Sequence, residues 1–390
     1  MTMNKKIEIY IHIPFCVKKC AYCDFLSCPA DDETKDRYVQ ALCREIEWSK
    51  DCLKEYLVDT VFIGGGTPSI LEEKYIGQIL DTLRSVTNVS DDAEITIECN
   101  PGTLTMEKLE AYRDAGINRI SLGLQSANDK ELKLIGRIHN YEEFKESFSL
   151  ARLAGFKNIN VDLMSALPGQ TLDSYKDTLA KVVTLNPDHI SAYSLIVEDE
   201  TPLKDMVESG ELTLPSEDDE REMYYYTKEF LGRTGYKRYE ISNYAKDGFE
   251  CRHNIGYWKR VEYLGFGIGA ASLFKGERFS NTPDINRYMH ILEKEDVMNA
   301  DEIWETINEN TESLTQNDEM EEFMFLGLRM TDGVSKADFE VQFGKSIESV
   351  YGEVLEKLEK QKLICLTDDI IKLTDKGIDI SNIVLANFLL

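Results

Sequence analysis

Six β-branched runs separated by longer segments with apolar residues at three- and four-residue spacing constrain this chain more than any other feature. The runs cover 7–13, 60–63, 94–99, 119–125, 158–164 and 189–195, and the segments between them include 36–48, 72–86, 105–115, 141–154 and 172–183. Strands joined by helical crossovers of this length pair in parallel. The pattern predicts an α/β fold, an incomplete (β/α)6 barrel in preference to an open doubly wound sheet. In either architecture ligands sit at the carboxyl ends of the strands. Those ends carry Pro14, Phe15 and Cys16, then Gly64, Gly65, Gly66 and Thr67, then Glu98, Cys99 and Asn100, then Gln125, then Asp162. A strand buried on both faces should not finish in a polar side chain that lacks a partner. Helix capping explains any one of them equally well; a succession of such ends points to a ligand.

The chain has 390 residues, enough for two or three domains and a large core without disulfide staples. Lys and Arg total 44 against 71 Asp and Glu, a net charge of −27 that argues against nucleic acid or an anionic membrane as partner. No apolar stretch approaches the roughly 20 residues of a membrane span, and MTMNKKIEIYIHIPFC lacks the marks of an export signal. The expectation is a cytoplasmic protein with no integral membrane segment. Nine unevenly placed cysteines then favour reduced thiols, metal ligands or catalysis over a disulfide framework.

Beyond residue 200 the pattern predicts a helix over 221–231, a strand over 236–244, and a glycine-rich run over 263–274 that extends the sheet. Residues 293–322 are strongly acidic with Lys294 as the only basic residue, as in a surface linker or a solvated helix face. Helices over 319–329, 336–343 and 346–360 and strands over 363–367 and 370–374 suggest a winged-helix-like α+β module. On so acidic a chain that module is expected to pack on the main domain rather than bind DNA. The expected division is 1–200, 201–292 and 293–390.

Cys16, Cys20 and Cys23 form C-x3-C-x2-C on the loop after the first strand. Three thiolates suit an iron-sulfur cluster, and a four-iron cubane with three protein ligands keeps one iron open. With Cys28 as a fourth ligand the same loop would make a closed zinc site, against which the irregular spacing counts.

The runs YIHIPFCVKKCAYCDF (10–25), GGGTPS (64–69), ECNPGTLT (98–105), SLGLQS (121–126), GRIHNY (136–141) and DLMSALPGQT (162–171) resemble the radical S-adenosylmethionine superfamily, in its coproporphyrinogen oxidase-like branch. The resemblance implies a radical-SAM barrel with a 4Fe-4S cluster on Cys16, Cys20 and Cys23. Its open iron chelates S-adenosylmethionine, whose reductive cleavage gives a 5′-deoxyadenosyl radical; some relatives hold two such molecules. Around that cofactor the resemblance places Gly65 and Gly66 for close backbone approach and Thr67 for a hydroxyl contact. Glu98 would accept from an ammonium or ribose, Gln125 and Asp162 from further hydroxyls, and Arg137 would meet a carboxylate. Tyr10 and Tyr22 would be aromatic surfaces beside the cluster. No side chain is assigned a catalytic role.

Two features choose within the branch. Decarboxylating members carry a further cysteine two positions after the third ligand, where this chain has Phe25, and HNIGYW at 253–258 is similar to the HNxxYW pattern of the HemW haem chaperones. That resemblance implies haem iron on His253, with Cys251 as an alternative ligand or attachment point, and macrocycle contact with Tyr257 and Trp258. Arg252, Lys259, Arg260, Lys237 and Arg238 are then expected to meet haem propionates; the bland alternative pairs them with Glu250 and Glu262. The expected function is a haem chaperone passing haem to an acceptor apoprotein, with a homodimer left open. The alternatives are an oxygen-independent coproporphyrinogen III dehydrogenase, a radical methyltransferase and, last, a zinc-stapled binding protein.

Overall fold

The computed structural model of the chain describes residues 5–293 and 300–390, and from 300 to 303 the backbone alone. Strands β1 (Lys5–Ile13), β2 (Tyr56–Gly65), β3 (Asn88–Cys99), β4 (Arg119–Gln125), β5 (Asn158–Ser165) and β6 (His189–Ser194) lie side by side in chain order, each parallel to the next. Helices Asp32–Trp48, Glu73–Val86, Met106–Asp114, Tyr141–Leu153 and Leu172–Thr184 make the crossovers. Asp31, Thr105, Asn140 and Thr171 start four of them by accepting amide hydrogens of the first turn. In Glu73–Val86 the stripe Ile76, Ile79, Leu80 and Leu83 is buried, the spacing of one helix face.

The sheet does not close. Beyond β6 it adds the antiparallel β8 (Asn243–Ala245) and then β7 (Lys237–Arg238). On the other side of β1 it adds the parallel β9 (Tyr263–Phe266), then β10 (Ala271–Phe274), β11 (Glu277–Asn281) and β12 (Asn308–Ser313) in antiparallel order. The incomplete barrel with extra strands is therefore present, with twelve strands in the sheet among the described residues.

Two expectations need correction. The single strand over 236–244 is a hairpin, because the Glu240 carboxylate accepts from the Ser242 amide and the Asn243 side chain and reverses the chain between β7 and β8. The acidic segment is not simply a linker. Trp304 meets Phe279 edge-on, residues 308–313 form edge strand β12, and Glu322 is buried. An edge strand has a neighbour on one side only, so polar composition does not reveal it. The part of that segment with Lys294 lies outside the described residues.

The C-terminal module contains helices Gln316–Gly327, Lys336–Phe343 and Ile347–Lys360 and a three-stranded sheet of β13 (Val334–Ser335), β15 (Ile370–Leu373) and β14 (Ile364–Leu366), in that order. It has its own core, with Met324, Phe339, Ile347, Tyr351, Ile371 and Phe388. Ion pairs from Arg260 to Glu322 and from Arg221 to Asp379 hold it to the main body. Among the described residues no helix is long and apolar enough to cross a membrane.

Candidate functional site

Side chains alternate along a strand, so Glu8, Tyr10 and His12 of β1 share one face of the sheet with Thr60, Phe62 and Gly64 of β2 and Glu94, Thr96 and Glu98 of β3. Ser121, Asn160, Asp162 and His189 continue that face across β4 to β6, as their mutual hydrogen bonds show, and Tyr193 follows His189 by alternation along β6. A barrel interior is ordinarily filled by Val, Ile and Leu. This one is polar and must find its partners at its two ends.

At the carboxyl ends is a cavity of about 360 Å³. Cys16, Cys20, Cys23, Tyr22, Gly65, Gly66, Thr67, Glu98, Gln125, Arg137 and Asp162 all line it. The cysteine loop is tied down by backbone bonds from Cys16 to the Cys28 carbonyl (3.1 Å), from Cys28 to the Pro14 carbonyl (2.9 Å) and from Thr67 to the Phe15 carbonyl (2.8 Å). A Cβ on Gly66 would lie 2.8 Å from the Phe15 carbonyl oxygen; Gly65 has φ +108° and its Cβ would lie 2.5 Å from the His12 ring. These glycines are thus required by the packing of β2 on β1, a reason the ligand-approach argument did not contain.

Thr67 Oγ1 lies 3.4 Å from Cys16 Sγ, and Arg137 Nη1 lies 3.7 Å from Cys20 Sγ. The other Arg137 amino group donates to Asn100 Oδ1 and the Gly123 carbonyl, while its Nε is buried without a partner among the described residues. Glu98 accepts the Gly65 amide hydrogen at 3.1 Å; burial, reinforced by Asp162, pushes its carboxyl up to about 8. Asp162 accepts from Ser121 (3.1 Å) and Asn160 (2.7 Å), and burial raises it too. Gln125 sits at a register shift with φ +72°, a conformation that costs a non-glycine residue about 1–3 kcal/mol, and accepts from Tyr193 Oη at 3.2 Å.

The donor set fits the group the motifs imply. A zwitterion would give Glu98 an ammonium partner and the unpaired Arg137 Nε a carboxylate. Among the described residues no three His, Cys, Asp or Glu side chains are grouped to hold a single metal ion. A cubane needs less convergence, since each thiolate binds its own iron. Cys28 is exposed and does not line the cavity. Tyr10, half-buried, is not on its wall: its hydroxyl bonds His12 Nδ1 at 3.0 Å and its ring stacks on Phe62. Sequence reasoning missed Met164 and Tyr193, although counting by twos from Asp162 and His189 reaches both.

The amino ends are closed by HNIGYW itself, which forms the helix Arg252–Trp258. Glu94 receives its first amides, Arg252 and His253 each at 3.2 Å, and the Cys251 thiol at 3.4 Å. His253 is 1% exposed; Nδ1 pairs with Thr60 Oγ1 at 2.6 Å, Nε2 with Tyr257 Oη at 3.0 Å, and the ring stacks on Phe62. Burial, with Arg119 adding, holds its pKa down to about 3; burial, with Glu94 and Asp59 adding, pushes Glu8 beside it up to about 9. A Cβ on Gly256 would fall 1.8 Å from Glu8 Oε1, so any larger residue there has to displace the buried Glu8 carboxyl.

This geometry does not fit haem at HNIGYW. Both His253 nitrogens are engaged and Cys251 is fully buried, so neither is presented to a macrocycle. The propionate expectation loses four of its five cations to carboxylates, while Lys259 is exposed and makes no ion pair among the described residues. Arg252 pairs with Asp59 (2.6 Å), Arg260 with Glu322 (2.8 Å) and Glu319 (3.7 Å), Lys237 with Asp247 (2.6 Å) and Arg238 with Asp375 (3.4 Å). Trp258 lies under the Arg329 guanidinium, 4.3 Å from the ring centroid, where the C-terminal module docks.

The Radical SAM superfamily profile matches residues 10–182, and the HemN C-terminal domain profile matches 314–380. The heme chaperone HemW of Lactococcus lactis subsp. lactis is 38% identical over 388 residues, covering 100% of this chain and 98% of the relative. The heme chaperone HemW of Bacillus subtilis is 37% identical, covering 97% and 98%. The chain belongs to the HemW family. Its fold extends beyond that family: coproporphyrinogen III oxidase (HemN) from Escherichia coli superposes with a TM-score of 0.84, covering 99% of this chain and 90% of that one at 24% identity. At that identity the likeness to HemN is one of fold, whereas the likeness to the HemW proteins is one of sequence along the whole chain.

Proposed function

We propose that this chain is a cytoplasmic haem chaperone that carries a 4Fe-4S cluster and S-adenosylmethionine and passes haem to an acceptor apoprotein. The observation that carries the reading is the identity of 38% and 37% to proteins named heme chaperone HemW, sustained over 97% or more of the chain. Cys16, Cys20 and Cys23 would hold the cluster, which when bound supplies an open iron for chelation and an electron for reduction. Arg137 orients Cys20 and offers its free Nε–H to a carboxylate. Glu98, kept protonated by its surroundings, ionises when an ammonium arrives beside it. Gln125, Tyr193 and Asp162 provide hydrogen bonds for hydroxyls, and Thr67 fixes Cys16. Phe25 counts against the dehydrogenase reading, since the extra cysteine of the decarboxylating enzymes is missing.

The test is to incubate reconstituted protein anaerobically with S-adenosylmethionine and reductant, with coproporphyrinogen III in one tube and haem in another. Haem retained and delivered to apomyoglobin, with no protoporphyrinogen formed, is the expected result. Protoporphyrinogen formation without haem retention would overturn it.

A further inference from the structure

The haem-chaperone reading needs a surface that takes a flat, largely apolar dianion, and the HNIGYW helix offers none. The opposite end of the sheet does. Val17, Phe25, Ile138 and Ile196 are 58%, 61%, 49% and 68% exposed, and all four line the cavity at the carboxyl ends. Scattered exposed apolar side chains are ordinary, but four around one opening, contributed by three separate segments, mark a binding surface. Lys18 and Lys19 stand on the same rim, exposed, and among the described residues neither makes an ion pair. On a chain of net charge −27 two uncommitted cations beside an apolar rim are a selective arrangement. Asp24 and Glu198 are the other charged side chains at the opening, besides the buried groups beneath it.

We propose that haem docks across the mouth of this cavity, its macrocycle on Phe25, Val17, Ile138 and Ile196 and its propionates on Lys18 and Lys19, covering the S-adenosylmethionine site. The placement rests on the haem-chaperone reading above. The two lysines, exposed and without an ion pair among the described residues, favour an anionic apolar occupant: an uncharged apolar peptide would satisfy the rim but would give neither lysine a partner. Haem and S-adenosylmethionine then occupy two levels of one opening, so their binding is linked, and a haem lying on the rim retards release of the molecule below.

The test uses full-length, cluster-loaded protein titrated anaerobically with haem and followed by absorbance, with iron content and S-adenosylmethionine binding as checks on folding. Phe25→Ser and Ile196→Ser, on different segments, should each weaken haem about tenfold, the scale of losing one buried apolar side chain. The K18E/K19E double variant should weaken it at low salt and less at high salt. Dissociation of labelled S-adenosylmethionine from wild type should slow when haem is added. Wild-type affinity in all three rim variants would overturn the placement. So would variants that bind haem normally but fail to deliver it to apomyoglobin, which would make the rim a surface for the acceptor protein. Wild type that binds no haem at all would instead refute the chaperone reading on which the placement rests.

Discussion

At the carboxyl ends of the central strands Glu98 and Asp162 face an open cavity; at the amino ends Glu8 and Glu94 face a helix. Both pairs are carboxylates on one interior face, and burial raises Glu98, Asp162 and Glu8 alike. The difference lies in what covers them. The cysteine loop leaves space and an unpaired guanidinium nitrogen, whereas Arg252–Trp258 fills the floor with His253, Gly256 and Tyr257. The two ends touch through one hydrogen-bonded chain, from the Cys251 amide through Tyr239, His189 and Asn160 to Asp162. Residue type therefore does not distinguish a ligand site from a structural floor; the cover does.

The contrast is sharpest where it can be broken completely. Cys20→Ser should abolish the iron-sulfur absorbance of reconstituted protein while leaving the far-ultraviolet spectrum and unfolding midpoint of the metal-free form nearly unchanged, since the thiol is partly exposed. A large loss of stability would place Cys20 in the core instead. Arg137→Ala should weaken S-adenosylmethionine about 10- to 100-fold by equilibrium dialysis, the range for losing a hydrogen bond to a charged group. Unaltered binding would remove Arg137 from the ligand end.

At the floor the effects belong to folding. Gly256→Ala forces a methyl onto Glu8 and should cost about 1–3 kcal/mol in urea unfolding. Cluster content of the folded fraction should not change. The last effect is a pH dependence. Glu8 rises from 4.5 to about 9 on folding, so its contribution is complete below 4.5 and is lost as pH climbs through 9. Glu8→Gln removes that loss, and the urea midpoint of the variant should gain on wild type steadily between pH 6 and pH 9. A constant difference would mean that Glu8 is ionised in the folded protein. His253, depressed from 6.5 to about 3, acts on the other side, its contribution fading as pH falls from 6.5 towards 3.

Much of the ligand end was legible because parallel strands put their last residues at one rim, so Thr67, Glu98, Gln125 and Asp162 could be placed together from order alone. Tyr10 lies off the cavity wall because adjacency to Cys16 in a motif ignores strand rise, which sets its backbone about 6.6 Å below that of His12, although its hydroxyl reaches back to the His12 ring. The HNIGYW helix was legible as a motif but not as a floor. Nothing in six residues tells that Thr60, Glu8 and Glu94, more than 150 positions earlier, receive its polar groups. Arg260 and Arg238 were misread for the same reason, since Glu319, Glu322 and Asp375 approach them through folding of the C-terminal module.

The central claim is that ligands enter at the carboxyl ends and that HNIGYW is a floor. Amide hydrogen exchange on cluster-loaded protein, with and without haem and S-adenosylmethionine together, tests it most directly. Slower exchange over 16–27 and 193–198, with 252–258 unchanged, is the result this account predicts. Altered exchange over 252–258 with the rim untouched would contradict it and return haem to His253.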